Sequence, residues 1–420
     1  MKTLIPALLA LLIMTAACAN KEDPALVALL AMANGGGSTV QGEIPVEVNI
    51  SDVTGDPSFI FDTTRNIGIY ITVRDPVAPA SGSLVQILET SGSATGDVIF
   101  QAVVSPEGNV QGSFTVNQTV NQVTLRVTIG GQLYTWLVDI SNVEEIRRYL
   151  LITAQIAPIT IVDSDRDGIA DENDAYPNDA TRSAIVRLPT DGYYTVAYED
   201  LFPKQGDADF NDYVVELRYE EDLNAAGKIK NIRGYVRHIA RGAGYRHTLQ
   251  LTLPGVSNAT LAMKRFGFDN TTVEAESTSV VPVFEHVEIM PNSGTTIQAD
   301  NSKKGQTYKP GKRAEFEVSL ATPVAADSLG TMPFDLHLNV INTGHKIHFA
   351  GRYFDANGKD LYLDPAGFPW AILVPGTWLW PLETQNTHIA YPAFKTWYES
   401  AGTASVDWYL SPLADKVFQR

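Results

Sequence analysis

The sequence is poor in cysteine and in basic side chains, and it contains no long apolar run. Cys18 is the only cysteine among 420 residues, so no disulfide can form within one chain. Acidic residues outnumber basic residues by 48 to 31, and the formal net charge of −17 disfavours binding to nucleic acid or direct docking on anionic lipid. No segment contains 18 uninterrupted apolar residues, so the sequence predicts no transmembrane helix.

The overall composition is that of a folded protein, but its negative charge is concentrated. Hydrophobic residues make up 44% of the chain and charged residues 19%, and the length indicates two or three domains. Two segments, 163–174 and 199–212, together hold eleven acidic and two basic residues. Carboxylates crowded in this way need a local counter-charge, because like charges at short range repel.

The N-terminus has the features of an export signal. Lys2 is followed by an apolar run from Leu4 to Ala17, which is too short to span a bilayer, so 1–17 are predicted as a signal peptide. Small residues before Cys18 resemble a bacterial lipobox, although Thr15 stands where leucine is usual. The resemblance implies lipidation at Cys18 and a lipid anchor in the cell outer membrane. The alternative is plain secretion with a free thiol.

The residues after the cysteine are predicted to be a lipidated tether. The segment 18–39 ends in a glycine-rich stretch, Gly35–Ser38, that is typical of flexible linkers. Ala19 lacks the aspartate that retains some lipoproteins at the inner membrane. The periplasmic and the external face of the outer membrane stay open as alternatives.

Alternation of apolar and polar residues predicts a mainly β fold. Short alternating runs separated by turn residues predict an N-terminal β-sandwich over 40–140. A capping box at Ser141–Glu144 predicts a helix that begins near Asn142. Together with the acidic segment that follows it, taken below as a calcium loop, this helix is expected to form a hinge over 141–182. The alternation resumes over 183–420, which we predict to be one larger antiparallel, jelly-roll-like sandwich.

The first acidic segment has the spacing of a calcium-binding loop. Calcium takes six to eight oxygen ligands, and a single loop supplies them from alternate positions around a tight turn that needs glycine. The predicted ligands occupy positions 1, 3, 5, 7, 9 and 12, with Gly168 at position 6 and Ile169 acting through its backbone carbonyl: Asp163, Asp165, Asp167, Ile169, Asp171 and Asp174. Aspartate at position 12 resembles dockerin-like and thrombospondin-type-3 loops. The alternative is a solvated acidic linker.

The second acidic segment, 199–212, admits two interpretations. One is a second calcium site that draws on Glu199 and on four aspartates, namely Asp200, Asp207, Asp209 and Asp212. The other is a structural corner in which the carboxylates accept backbone N–H groups in Asx-turns.

The same segment carries a family resemblance. Glu199-Asp200-Leu201, a short gap and then Gly206-Asp-Ala-Asp-Phe-Asn-Asp-Tyr-Val-Val resemble the LruC-domain family of bacterial envelope proteins. Aromatic and proline motifs at Phe368–Ala371 and Tyr391–Phe394 fit the C-terminal part of that domain, so the resemblance covers about 180–420. It implies an exported, often lipid-anchored protein, met as a surface or periplasmic antigen, without enzymatic activity.

The remaining candidate site is a group of tryptophans near the C-terminus. They are expected either to pack in the core or to form a platform for a glycan or an extracellular protein, and the platform candidates are Trp370, Trp378, Trp380 and Trp397. The chain has no Gly-x-Ser-x-Gly, P-loop or His-Glu-x-x-His motif. His337 is expected on the polar face of its strand, and a metal pair at His345 and His348 is not expected.

Three functions follow from these patterns as hypotheses. The first is a binding or adhesive surface lipoprotein whose β domains are stabilised by calcium. The second is an inward-facing structural lipoprotein of the envelope without an external ligand. The third is a glycan-active hydrolase, since paired carboxylates can assemble across a fold. The clustered acids suit an ion better than this chemistry, so we expect no enzyme.

Overall fold

The computed structural model describes residues 58–89, 96–152, 162–242 and 244–420. Seven strands come first in the chain: β1 (Thr64–Arg74), β2 (Leu84–Glu89), β3 (Asp97–Val103), β4 (Asn109–Asn117), β5 (Gln122–Ile129), β6 (Gln132–Asp139) and β7 (Glu145–Leu151). They form one sheet in the order β4-β1-β7 and another in the order β3-β2-β5-β6. Alternate apolar residues from both sheets meet in one buried core, as the period-two pattern predicts.

The predicted helix near Asn142 is wrong, because β7 occupies that region. β7 pairs in parallel with β1, and the register aligns Ile69 with Ile146. The polar residues that suggested a helix cap serve a turn instead, in which the Ser141 N–H and hydroxyl both donate to Asp139. Pairing with an open sheet edge and burial of Ile146 outweigh the weak local preference for helix.

Twelve further strands follow. They are β8 (Ala184–Leu188), β9 (Tyr194–Tyr198), β10 (Tyr213–Leu223), β11 (Ile229–Ala240), β12 (His247–Thr252), β13 (Ser257–Phe266), β14 (Val273–Val283), β15 (Val287–Met290), β16 (Arg313–Val324), β17 (Asp335–Val340), β18 (Lys346–Ile347) and β19 (Ala371–Pro375). The larger sheet has the order β14-β13-β16-β11-β10-β9-β19, with β8 also paired to β10, and the smaller sheet has the order β15-β12-β17-β18. The prediction of a mainly β, sandwich-type fold is confirmed.

Helices are few and short in the described residues. They are α1 (Ser293–Thr296), α2 (Thr387–Ala390) and α3 (Pro392–Glu399), with single 3₁₀ turns at Asp171–Asn173, Ala326–Leu329 and Trp408–Leu410. Both α2 and α3 lie beyond β19, in the C-terminal segment that covers the outer face of the larger sheet.

The larger sheet is buried on both faces at its β10-β9-β19 end, whereas β14 at the other edge is exposed. Along β10, Tyr213 and Val215 face the smaller sheet, whereas Val214 faces an aromatic core built by the C-terminal segment. Phe59 and Phe61, which precede β1, also insert into this aromatic core. A chain segment from the predicted N-terminal domain therefore completes the interior of the C-terminal one.

The two sandwiches contact each other directly. The Val103 N–H donates to the Ala225 carbonyl at 2.8 Å, and the Tyr194 hydroxyl donates to Asn117 at 3.1 Å. Gly227 has a φ of +73°, and a Cβ there would press on the Phe100 ring. These contacts belong to one compact unit that runs from Ile44 to Arg420.

The predicted domain boundaries at 140 and 183 stay predictions. Cys18, the signal peptide and the tether lie outside the described residues.

Candidate cation-binding sites

The loop after the first sandwich folds as the sequence pattern predicts. Gly168 has a φ of +99°, which allows the chain to reverse, and the Ile169 side chain is buried. Backbone N–H groups point at the carboxylates: Arg166 and Gly168 donate to Asp163 at 2.6 and 3.1 Å. One carboxylate oxygen from each of Asp163, Asp165 and Asp167 lies within 4.8 Å of the others.

Three oxygens of this loop are buried without a hydrogen-bond partner. They are the Oδ2 atoms of Asp165, Asp167 and Asp174, which stand at positions 3, 5 and 12. Burial raises the pKa of Asp167 to about 6, and the neighbouring carboxylates of Asp174 and Asp165 act in the same direction. Burial likewise raises the pKa of Asp174. A protein leaves buried acceptors unpaired only at a cost, and a cation bound among them would remove that cost.

Asp171, at position 9, has a different role. Its Oδ1 accepts the Ser164 N–H and its Oδ2 accepts the Ser164 hydroxyl, both at 2.8 Å. The carboxylate thereby closes the loop on itself.

The loop is fixed to both sandwiches. The Asn173 carbonyl accepts a hydrogen bond from Gln101 of β3 at 3.2 Å. On the other side, the Tyr176 hydroxyl donates to Asp222 of β10 at 2.7 Å, and Arg182 pairs with the same carboxylate at 3.2 Å. The position of this loop therefore helps to set how the first sandwich meets the larger sheet.

The second acidic segment divides into two parts. Asp200 and Asp212 form one: Asp212 accepts the Asp200 N–H at 2.8 Å, and the Asp200 carboxylate lies 3.0 Å from His247 Nε2. Glu199, Asp207 and Asp209 form the other, with one oxygen from each within 4.8 Å of the others. Asp209 also accepts the Asn211 N–H at 3.1 Å, so elements of both sequence interpretations are present.

Sequence reasoning missed two residues next to the second part, Asn211 and Glu383. Asn211 Oδ1 and Glu383 Oε2 are both buried without a hydrogen-bond partner. Burial raises the pKa of Glu383 to about 7, and the charge of Asp207 contributes. Glu383 comes after β19, and the sequence offers no spacing motif that would connect it with the 199–212 segment.

A third polar cluster lies in the smaller sheet and was not expected. Asp335, His337 and His348 are buried side by side, and the two histidine rings stack at 4.3 Å. His348 Nδ1 donates to Asp335 at 2.6 Å, and the Tyr353 hydroxyl donates to its other oxygen at 2.6 Å. Burial opposes ionisation of Asp335, but these bonds hold the Asp335 pKa below its ordinary value. His337 was expected on a polar face and is instead fully buried.

The geometry favours a hydrogen-bonded network over a metal site in this third cluster. His337 Nδ1 lies 2.9 Å from the Asp335 carbonyl, where it can only donate, and its Nε2 lies 3.0 Å from Nδ1 of His286. One ligand atom from each of Asp335, His337 and His348 lies within 4.8 Å of the others. However, both ring nitrogens of His337 and Nδ1 of His348 already have hydrogen-bond partners within the protein.

We expect acid to destabilise the protein through His337. Burial, followed by the charge of His348, lowers the pKa of His337 to about 4 from its ordinary 6.5. Because the folded protein binds a proton at His337 less readily than the unfolded chain does, this contribution to the free energy of unfolding is complete above about pH 6.5. It is lost as the pH falls towards 4, by about 1.4 kcal/mol for each pH unit between the two pKa values. Urea unfolding at pH 7.5, 5.5 and 4.5 should show that wild type exceeds His337→Gln in free energy of unfolding by less and less as the pH falls. The difference should shrink by about 2–3 kcal/mol over this range. An advantage that does not change with pH would contradict this role.

The predicted tryptophan platform is wrong, because all four side chains are buried. Trp378, Trp380 and Trp397 lie in the aromatic core, and Trp370 lies in the core between the sheets. The indole N–H groups of Trp370 and Trp380 donate to the backbone carbonyls of Lys204 and Asn301, at 3.1 and 2.6 Å. Burying these large rings in the core stabilises the fold by more free energy than stacking on a ligand at the surface would contribute.

Comparisons with known proteins relate the C-terminal part to a family without an assigned function. A family model described as "Domain of unknown function (DUF4842)" matches residues 227–409. A crystal structure described as a "Putative lipoprotein from Bacteroides ovatus" is similar in fold, with a TM-score of 0.50 and 16% sequence identity, over 80% of this chain and 99% of that chain. No curated protein matches the sequence. Within the described ranges, no helix is long and apolar enough to cross a membrane.

Proposed function

We propose that this protein is a lipid-anchored, non-enzymatic protein of the bacterial outer membrane whose two sandwiches are fixed to each other by calcium. The lipobox-like sequence before Cys18 supports the anchor. The fold similarity to a protein described as a lipoprotein supports the same location, as does the resemblance of 180–420 to the LruC-domain family. A match to a domain without assigned activity is consistent with a role other than catalysis.

The observation that carries the calcium role is the set of buried, unpartnered oxygens at Asp165, Asp167 and Asp174. These three carboxylates, together with Asp163, present oxygen atoms alone, the ligand type that calcium prefers. The loop is bonded to Gln101 on one side, and Tyr176, in the chain just after the loop, is bonded to Asp222 on the other. An ion in this loop would therefore stiffen the junction, in a protein that has no disulfide to do so. We expect a weak, extracellular type of affinity, with a Kd of roughly 10⁻⁵ to 10⁻³ M.

Calcium should stabilise the protein measurably. At about 100 times its Kd, an ion that binds only the folded state adds about 2.7 kcal/mol to the free energy of unfolding. Differential scanning calorimetry with calcium and with chelator should show a higher Tm in calcium, and limited proteolysis should show a more resistant 162–182 segment.

Paired substitutions make this test specific. Asp165→Asn with Asp167→Asn removes two ligand charges, and most of the calcium response should disappear. Asp191→Asn is the matched control, because Asp191 is an exposed aspartate in the turn between β8 and β9. A wild-type Tm and cleavage pattern that chelator leaves unchanged would overturn the calcium role.

The orientation of the anchored protein is a separate part of the proposal. A binding or adhesive role predicts that protease added to intact cells cleaves the protein, whereas an inward-facing structural role predicts protection. A screen of glycans and matrix proteins with and without calcium would then identify a ligand. The buried tryptophans no longer support a glycan platform, so a ligand site for the binding role would have to lie elsewhere on the surface.

A further inference from the structure

We infer that Glu199, Asp207, Asp209, Asn211 and Glu383 form a second, buried site for a divalent cation, which we call the buried acid pocket. The five side chains offer oxygen atoms alone, which points to a hard ion such as calcium. The inference does not depend on the loop at 163–174, because the two sites share no residue.

Glu199 gives the first independent indication of a ligand. Its side chain is 2% exposed, and its Oε1 accepts the Phe210 N–H at 2.6 Å. Its Oε2 is buried and has no hydrogen-bond partner. Oxygens from Asp207 and Asp209 lie within 4.8 Å of a Glu199 oxygen, so this free acceptor stands in a group of three carboxylates.

Asn211 and Glu383 add the second indication. Asn211 is 0% exposed, and its Nδ2 donates to the Pro381 carbonyl at 3.3 Å, which leaves its Oδ1 without a partner. A Cβ built on Gly242 would overlap Asn211 Oδ1 and would lie 2.7 Å from Glu383 Oε2. The two unpartnered oxygens are therefore near neighbours, close enough to share one ion.

The loop that carries three of these ligands is held in place by other bonds. Asp209 Oδ2 accepts the Thr384 N–H at 2.8 Å, which brings the residue after Glu383 against the loop. Thr387 of α2 donates from both its N–H and its hydroxyl to the Ala208 carbonyl. The ligands are thus pre-positioned by the fold, and the ion would add the missing partners.

Glycine keeps space open at the pocket. A Cβ built on Gly206 would overlap Glu199 Oε2, as one on Gly242 would overlap Asn211 Oδ1. Any larger residue at position 206 would displace the carboxylate that points into the pocket. This gives a way to close the site without removing a ligand.

Several carboxyl groups are buried close together in this pocket, and their mutual repulsion needs a compensating partner. Burial raises the pKa of Glu199 and of Asp209 far above the ordinary range, and the charges of neighbouring acids add to the effect. A divalent ion would offset the repulsion among these carboxylates and would link the end of β9, the loop before β10 and the segment after β19.

Isothermal titration calorimetry of the full-length protein in detergent with CaCl₂ tests the pocket. We expect two sites in the wild type. Glu383→Gln, which keeps the shape of the side chain, and Gly206→Ala, which keeps all five ligands, should each remove one site or weaken it at least tenfold. Near-ultraviolet circular dichroism would confirm that both variants fold. Glu399→Gln on α3, an exposed glutamate paired with Lys395, is the matched control.

The outcomes separate this inference from the calcium role of the loop. In Asp165→Asn with Asp167→Asn, the one remaining site should be the pocket, and adding Glu383→Gln should abolish binding. If Glu383→Gln and Gly206→Ala both bind as many ions as wild type with unchanged Kd, the pocket is not a cation site, whatever the loop does. If the paired aspartate variant still binds two ions, the loop proposal fails and the pocket is untouched.

Discussion

Replacing Arg233 by methionine should lower the free energy of unfolding by about 3 kcal/mol. The Arg233 guanidinium lies 2.5 Å from the carboxylate of Asp222, a side chain that is 0% exposed on β10. Removal of one partner of a buried ion pair typically costs about 3–5 kcal/mol, because the other charge is left in a low-dielectric interior. We place this variant at the lower end, since Arg182 and Tyr176 still contact Asp222. Guanidinium unfolding followed by tryptophan fluorescence would measure the change.

A second substitution shows whether the loss comes from the stranded charge. Asp222→Asn in the Arg233→Met background removes that charge and should recover part of the stability, so the two changes should be strongly non-additive. Arg187→Met is the control, because Arg187 and Glu220 form a more exposed pair at 3.1 Å and should contribute about 1 kcal/mol or less. A loss of under about 1 kcal/mol in Arg233→Met would show that the remaining partners hold Asp222 unaided.

The same ion network connects the core of the larger sheet to the loop at 163–174, for which calcium binding is proposed. Tyr176 and Arg182 lie in the chain that follows the loop, and both contact Asp222. Arg182 also stacks over the Tyr176 ring at 3.9 Å. If Arg233→Met loosens this anchor, the calcium-dependent rise in Tm should also decrease, since the loop would no longer be bonded firmly on its β10 side.

Residues in regular alternation were the part of the fold that could be predicted. Runs such as Ile67 to Val73 and Leu336 to Val340 fall in β1 and β17, because a strand with one buried face imposes a period of two on the sequence. The segment Asn224–Gly227, whose asparagine and glycine are typical of hairpin turns, joins β10 and β11. The first part of the sandwich predicted over 40–140, up to residue 57, lies outside the described residues.

The failures arose where partners are distant in sequence. Local pattern favoured a helix at 142, but β7 forms because β1, about 75 residues earlier, offers a sheet edge. The sequence indicated that Asp163, Asp165 and Asp167 would lie close together, as they do, because all the acids of this loop fall within twelve consecutive residues. Glu383 could not be assigned to a site from sequence, because only the fold brings it beside Asp209 and Asn211. The tryptophans were ambiguous, since a buried and a stacking tryptophan have the same local sequence.

Replacing Phe61 by alanine should lower the free energy of unfolding by about 3–5 kcal/mol. The side chain is 2% exposed and precedes β1, yet it lies in the aromatic core that the C-terminal segment builds. Its ring centroid is 5.6 Å from that of Phe368 and 5.8 Å from that of Trp397. Deletion of a buried phenylalanine ring removes its apolar burial and leaves a cavity that the rigid surroundings fill only in part. Denaturant unfolding would give the change in stability.

The Phe61 substitution should also affect how the two sandwiches are held together, because Phe61 packs the chain before β1 into the C-terminal sandwich. Thr63 reinforces this lock by donating from its buried hydroxyl to the Leu373 carbonyl of β19 at 2.6 Å. Ile60→Ala is the matched control: it lies next to Phe61 but is 37% exposed, and we expect a loss of about 1 kcal/mol or less. If both variants lost equally little, the aromatic core would be complete without the N-terminal segment, and the larger sandwich could be stable by itself. A large loss in Phe61→Ala alone would show that the chain segment before β1 is joined to the C-terminal sandwich through packed aromatic rings.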